Sequence, residues 1–196
     1  QNTDLYDIAS LTKIIATLPN VMLEFDKGNI TLETKLKSML PVFRGSNKED
    51  ATVLDMLTHQ ARFQPWIPFY KATLDSLNRP SEKYYRTRPT VEFQLKVAED
   101  LFLRRDYNDT IIKAIADSPL LPKKQYKYSD FSFILFKEYL EKKKKKSLEY
   151  LAKNNFYDEI GATSITYNPL HQFEKNVIIP TENDTYFRYQ PVHGYV

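Results

Sequence analysis

Ser10-Leu11-Thr12-Lys13 places a serine one helical turn before a lysine. It opens an apolar run that ends at Phe25 and that predicts a helix. Residues i and i+3 share a helix face, so the amine of Lys13 should lie over the hydroxyl of Ser10, near the positive end of the helix dipole. The pattern predicts a nucleophilic serine activated by an amine. The simpler alternative is a helix N-cap serine beside a solvated lysine.

Length and composition indicate one domain over residues 1–196. The 196 residues are 42% hydrophobic, which is enough for a real core. The net charge of +3 is spread along the chain, and its densest cluster, Lys142 to Lys146, ends a predicted helix. Such a run is usually a solvated helix end, so we do not expect nucleic acid or a membrane surface as a partner. No stretch approaches the roughly 20 apolar residues of a membrane span, so no integral membrane segment is expected.

Several kinds of site are not expected from the residue types present. The sequence has no cysteine, which excludes disulfides, thiolate chemistry and cysteine-ligated metals. His59, His171 and His193 lack the spacing of a zinc site. Only 4 glycines occur, and no glycine-rich phosphate loop is present. We therefore expect neither a metal nor a cofactor.

Helical patterns dominate the chain, and the sequence therefore predicts a mostly α fold. In the first helix the apolar face is too broad for a surface helix, which predicts that it is buried, with a bend at Pro19 and an end at Gly28. Short extended runs are expected only near the C-terminus, at Thr163 to Tyr167 and Val177 to Pro180. The predicted helices are Leu11 to Asp26, Val53 to His59 after an N-cap at Thr52, Tyr107 to Asp117, Phe131 to Leu140 after an N-cap at Asp130, and Leu148 to Asn154 after a cap at Ser147.

Residues 60–89 read as an irregular, aromatic-rich connection within the domain. A long connection of this kind is usually functional or packed over a site. Trp66 and Phe69 would either line a substrate groove or serve only for aromatic packing.

Three stretches in a fixed order resemble a known family. This order resembles the serine β-lactamase and penicillin-binding-protein-like hydrolases, especially the class C β-lactamase and esterase branch. The family has S-x-x-K, then a leucine-leucine-threonine-histidine helix, then tyrosine-x-asparagine. The matching stretches here are Ser10-Leu11-Thr12-Lys13, Leu57-Thr58-His59-Gln60-Ala61 and Tyr128-Ser129-Asp130.

The resemblance implies the helical lobe of an α+β β-lactamase/transpeptidase-like fold and a serine hydrolase. Ser10 would be the nucleophile that forms an acyl-enzyme, Lys13 would share its proton, and Tyr128 would act as general base or acid. The backbone N–H of Ser10 and one from a late strand would form the oxyanion hole. The substrate would be a β-lactam, a D-amino-acid peptide or a small ester, and the location would be periplasmic or at the surface of a bacterium.

Two residues depart from the family pattern, and a third has an unassigned role. Asp130 stands where the family commonly has asparagine; it would either hold Lys13 protonated, as a supporting site residue, or only cap its helix. Arg62 stands where the family often has glycine. His59 is expected to be hydrogen-bonded locally at a helix end rather than to act as a base.

Part of the family pattern is missing. The last motif, a lysine- or histidine-threonine-glycine, is not present, since His193-Gly194 has no threonine between, and most of the antiparallel sheet is also missing. We therefore expect a partial domain with impaired turnover, whose uncovered apolar face favours self-association or the missing remainder of the domain. The alternative function is a non-catalytic binding module that keeps the scaffold, and a weaker one is a nucleic-acid binder that uses Lys142 to Lys146.

Overall fold

The computed structural model describes residues 4–195, which form two compact units. One unit, here called the helical unit, comprises Ser10–Ile67 and Ile112–Ala162. The other, the strand unit, comprises residues 4–9, Pro68–Ile111 and residues 163–195. Among these residues, helices outnumber strands and the sheets are small, which confirms the predicted mostly α fold.

The first helix of the helical unit is irregular at its start. A 3-10 turn at Ala9–Leu11 leads into a π-helical turn at Lys13–Thr17, and regular α-helix (α1) continues over Leu18–Asp26. Gly28 then adopts φ = +68°, a left-handed conformation that glycine accepts without steric cost, and its N–H donates to Phe25. The helix therefore ends where the sequence predicted.

Side chains complete the hydrogen bonds of this distorted helix start. Pro19 lies in the first turn of α1 and has no N–H for the carbonyl of Ile15, four residues earlier. That carbonyl instead accepts from the hydroxyl of Tyr157 at 3.0 Å. The buried amide of Asn20 donates to the carbonyl of Ala16 at 2.8 Å. The distortion is thus built into the packing of the unit.

The apolar face of the first helix is largely uncovered, as expected from the missing sheet, so the burial predicted from the breadth of that face is wrong. Val21 is buried, but Ile14, Met22 and Phe25 are 53%, 56% and 47% exposed. The buried positions of α1 instead include Asn20 and Glu24. The reason is that hydrophobicity shows which face needs a cover, whereas the described residues of this chain leave that face open.

The remaining helices follow the local signals in the sequence. Thr52 and Asp55 form the capping box of α3 (Val53–Leu57), and Ser147 caps α6 (Leu148–Ala152) by accepting from the N–H of Tyr150. The long helix α5 (Phe131–Lys144) buries Phe131 and most of its apolar side chains. Among residues 4–195, no helix combines the length and apolar content that crossing a bilayer requires. The helices are α2 at Leu36–Met39, α3 at Val53–Leu57, α4 at Tyr107–Asp117, α5 at Phe131–Lys144 and α6 at Leu148–Ala152.

The strand unit holds two small antiparallel sheets. Their strands are β1 at Tyr85–Arg86, β2 at Phe93–Ala98, β3 at Leu101–Arg104, β4 at Glu182–Asp184 and β5 at Gln190–Val192. The first sheet has the strand order β1-β3-β2, and the second pairs β4 with β5.

The predicted extended runs are not strands of these sheets. Residues 163–167 form a turn followed by irregular backbone, and Ile178 makes only a single bridge to Leu5. The irregular connection predicted at 60–89 contains a 3-10 turn at Phe69–Thr73 and the short strand β1. The β2–β3 hairpin was missed, although Phe93 to Val97 alternates apolar and polar residues as a strand does; in the structure its pairing has two register irregularities.

Candidate active site

Two donors converge on the hydroxyl of Ser10. Nζ of Lys13 donates to Oγ of Ser10 at 3.0 Å, and the phenol O–H of Tyr128 donates to the same oxygen at 3.1 Å. Nζ of Lys13 also lies 5.5 Å from the centre of the Tyr128 ring. The structure therefore brings together three side chains that the sequence singled out, although 118 positions separate Ser10 from Tyr128.

The irregular start of the first helix presents this cluster. Ser10 lies in the 3-10 turn and Lys13 begins the π turn, so neither occupies a regular α-helical position. π-Helical turns are rare in proteins, but those that do occur often lie at functional sites. Ser10 is exposed, whereas the side chain of Lys13 is only 17% exposed. The hydroxyl is thus open to a substrate while its amine neighbour is partly shielded from water.

Asp130 is the fourth member of the cluster. Its carboxylate lies 3.0 Å from Nζ of Lys13, and its side chain makes no capping hydrogen bond to α5. Of the two alternatives left open by the sequence, the geometry favours the contact with Lys13. Burial of Lys13 disfavours its charge, but hydrogen bonds to Tyr128 and Asp130 outweigh burial and raise the pKa of Lys13 above its usual 10.5. The amine is therefore protonated at neutral pH.

Two loops of the helical unit run side by side and hold Tyr128 in place. The N–H of Lys127 donates to the carbonyl of His59 at 2.9 Å, and the N–H of Asp130 donates to the carbonyl of Pro65 at 2.9 Å. The buried hydroxyl of Ser129 donates to the carbonyl of Gln64 at 2.6 Å. These main-chain acceptors fix the segment on both sides of the phenol.

Arg62 adopts the backbone conformation for which glycine is best suited. Its φ is +61°, in the left-handed region that costs a side-chain-bearing residue free energy. The turn expected at a glycine is therefore kept with arginine in its place. Arg62 exchanges two hydrogen bonds with Leu121: its Nε donates to the Leu121 carbonyl at 2.6 Å, and its own carbonyl accepts at 2.7 Å.

His59 is the functional candidate whose contacts sequence reasoning missed. Its ring lies 4.7 Å from the Tyr128 ring, and its Nδ1 accepts the N–H of Ser129 at 3.2 Å. The sequence predicted only local bonds at a helix end. The partner is 70 residues away, and only the order of the two motifs hinted that they could meet.

Other residues noted in the sequence lie outside this cluster. Trp66 is 58% exposed in the helical unit, whereas Phe69 belongs to the strand unit. In the lysine run at the end of α5, Lys142 pairs with Glu138, and Lys143 and Lys144 both pair with Glu24. Within residues 4–195, no three histidine, aspartate or glutamate side chains are grouped so that they could hold a metal ion.

Comparison with known proteins places the fold. The model of the family described as Beta-lactamase matches residues 1–188. No curated protein shows significant similarity to the chain.

Several solved structures share the fold at low sequence identity. The octameric penicillin-binding protein homologue from Pyrococcus abyssi has a TM-score of 0.64 and 17% identity over 100% of this chain and 41% of its own. FmtA from Staphylococcus aureus has a TM-score of 0.57 and 17% identity over 83% of this chain and 37% of its own. A class C β-lactamase from Rhodobacter sphaeroides has a TM-score of 0.53 and 17% identity over 82% and 36%. The chain thus spans well under half the length of these structures.

Proposed function

This chain belongs to the β-lactamase family, and we propose that it is a serine hydrolase in which Ser10 attacks an amide or ester carbonyl. The observation that carries the proposal is the convergence of Lys13 and Tyr128 on the hydroxyl of Ser10, at 3.0 and 3.1 Å. Two donors aimed at one oxygen stabilise the negative charge that develops when its proton leaves. The substrate class is a β-lactam, a D-amino-acid peptide or a small ester.

The proposed reaction has two acyl-transfer steps. Oγ of Ser10 bonds to the carbonyl carbon while its proton passes to the free amine of Lys13 or to the phenolate of Tyr128. The same group returns the proton to the departing amine or alcohol, which leaves an ester on Ser10. Water then attacks that ester, releases the acid and restores the hydroxyl. Since the hydrogen bonds to Tyr128 and Asp130 raise the pKa of Lys13 above its usual 10.5, the free amine is a minor species at neutral pH and acylation should be slow.

A covalent probe tests this proposal directly. A fluorophosphonate, and separately a fluorescent penicillin, should label the protein, and mass spectrometry should place the label on Ser10. Ser10→Ala should abolish labelling, whereas Ser164→Ala, at an exposed serine of the strand unit, should leave it unchanged. A folded protein that neither probe labels would refute the hydrolase and support the non-catalytic binding module.

Matched variants separate the proposed roles of the two donors. Lys13→Met and Tyr128→Phe each remove one donor to Ser10 and should slow labelling about 100-fold or more. Lys27→Met and Tyr150→Phe remove the same groups from exposed positions away from the cluster and should have no effect. Equal labelling by the Tyr128→Phe variant would remove the phenol from the mechanism.

A further inference from the structure

His59 makes three contacts with the segment that carries Tyr128. Its carbonyl accepts the N–H of Lys127 at 2.9 Å, and its Nδ1 accepts the N–H of Ser129 at 3.2 Å. Between these two residues, the Tyr128 ring packs against the imidazole with 4.7 Å between ring centres. A single side chain and its own backbone therefore hold the residues on both sides of the phenol as well as the phenol ring.

The hydrogen bond to Ser129 requires a neutral imidazole. A backbone N–H can only donate, so Nδ1 of His59 must present its lone pair, and the ring proton must be on Nε2. A second proton, on Nδ1, would make this nitrogen an N–H group that faces the N–H of Ser129, and the hydrogen bond between them would break. Ser129 is buried, so water does not readily replace the lost acceptor.

The surroundings of His59 favour this neutral form. Burial disfavours a charged imidazole, and the nearby ammonium of Lys13 adds repulsion; both lower the pKa of His59 below its usual 6.5. The carboxylate of Asp130 acts in the opposite direction but does not reverse the shift. The rings of Tyr126 and Phe133, at 6.0 and 5.9 Å, complete the groups that face the imidazole.

We propose that His59 is a positioning residue that holds the phenol of Tyr128 on Ser10 only while its imidazole is neutral, so that a proton on His59 releases the phenol and switches the site off. This inference rests on the proposed function, because it assigns His59 to the reaction of Ser10. His59 transfers no proton to the substrate in this scheme. It acts through the N–H of Ser129 and through the face of the Tyr128 ring.

The backbone conformation at position 59 allows two variants that separate the hydrogen-bond acceptor of His59 from its aromatic ring. Its φ is +54°, a conformation that asparagine tolerates better than most residues, and Oδ1 of asparagine can accept the Ser129 N–H without titrating near neutral pH. His59→Asn therefore keeps the acceptor and removes the switch. His59→Phe keeps an aromatic ring against Tyr128 and removes the acceptor.

The first experiment measures the rate of fluorophosphonate labelling of Ser10 between pH 5 and 8.5. Lys13, one of the two proposed proton acceptors, titrates above this range; if it accepts the proton of Ser10, log rate rises with pH with a slope of about one. In the wild type the slope should steepen to about two below the pKa of His59. His59→Asn should stay within about threefold of wild type at pH 8 and keep a slope of about one throughout, whereas His59→Phe should lose about tenfold or more at every pH. A wild-type profile without a break, or a normal rate in His59→Phe, would overturn the proposal.

The second experiment does not depend on activity. In ¹⁵N-labelled protein, the Ser129 amide and the Tyr128 ring resonances should shift with the titration of His59, and His59→Asn should show no such transition. If the Ser129 and Tyr128 resonances do not shift as His59 titrates, the positioning role is refuted, even if the fluorophosphonate labels the protein. Absence of labelling in the wild type would instead refute the proposed hydrolase, whatever the spectra show. Thermal unfolding of each variant confirms that it is folded.

Discussion

Replacing Asp130 with asparagine should make Ser10 more reactive. The carboxylate lies 3.0 Å from Nζ of Lys13 and stabilises the ammonium form of that residue. Two unit charges at this distance attract each other by about 1.4 kcal/mol at the dielectric constant of water, which is a lower bound for a pair that is partly shielded from solvent. That energy corresponds to about a tenfold change in an equilibrium constant. Asp130→Asn should therefore lower the pKa of Lys13 and raise its free-amine fraction at neutral pH about tenfold.

The rate of fluorophosphonate labelling at pH 7 to 8 measures this effect. If free Lys13 accepts the proton of Ser10, labelling of Asp130→Asn should be about tenfold faster than wild type. Asp50→Asn is the matched control, because Asp50 also lies 3.0 Å from a lysine, Lys35, on an exposed surface of the same unit. This control should leave labelling unchanged.

Slower labelling of Asp130→Asn would contradict this reasoning. It would show that the ammonium form of Lys13 assists the reaction and that Tyr128 accepts the proton. An unchanged rate, with an unchanged pH profile, would show that the Lys13 charge does not limit acylation at all.

Three further predictions concern stability, each measured by urea or thermal unfolding. Glu24→Gln should cost about 2 kcal/mol, because the buried carboxylate pairs with two partly exposed lysines, while Glu33→Gln, on an exposed turn, should cost little. Burial lowers the pKa of Lys48 to about 8, below the 10.5 of an unfolded chain. The unfolded state then binds more protons between these values, so wild-type stability should rise with pH over this interval, by at most about 3 kcal/mol, and Lys48→Met should lack the rise. At Arg62, with φ = +61°, the glycine variant should be more stable than the alanine variant by about 1 kcal/mol, the reverse of the usual order; equal stabilities would contradict the strain.

Local interactions explain what the sequence predicted well. The Thr52–Asp55 capping box and the Ser147 cap join residues three positions apart, so their patterns are visible in the sequence. Ser10 and Lys13 also meet across three positions, although through a 3-10 turn and a π turn rather than a regular helix. The family motif, and not periodicity, indicated that Tyr128 belongs beside them.

Contacts between distant segments explain what the sequence could not provide. The bond from Ser129 to His59 joins residues 70 positions apart, and no local pattern distinguishes such a histidine from one at a solvated helix end. In the sequence, Asp130 fits the role of a helix cap as well as that of a partner for Lys13. Only the packing of α5 beside the first helix decides between these two roles. The exposure of Ile14 and Met22 depends on what lies opposite them, which the helix itself does not encode.

The π turn at Lys13–Thr17 accommodates one residue more than a regular helical turn. The turn closes by a bond from the N–H of Leu18 to the carbonyl of Lys13, five residues back rather than four. Deleting one residue there would restore a regular turn, and Ser10 would keep nearly the same direction relative to the buried residue Val21, because a π turn and an α turn each complete about one revolution. Such a deletion should leave the hydroxyl facing the phenol. Relatives that use the same chemistry can therefore differ by one residue at this turn, and an alignment of their sequences should show its gap there.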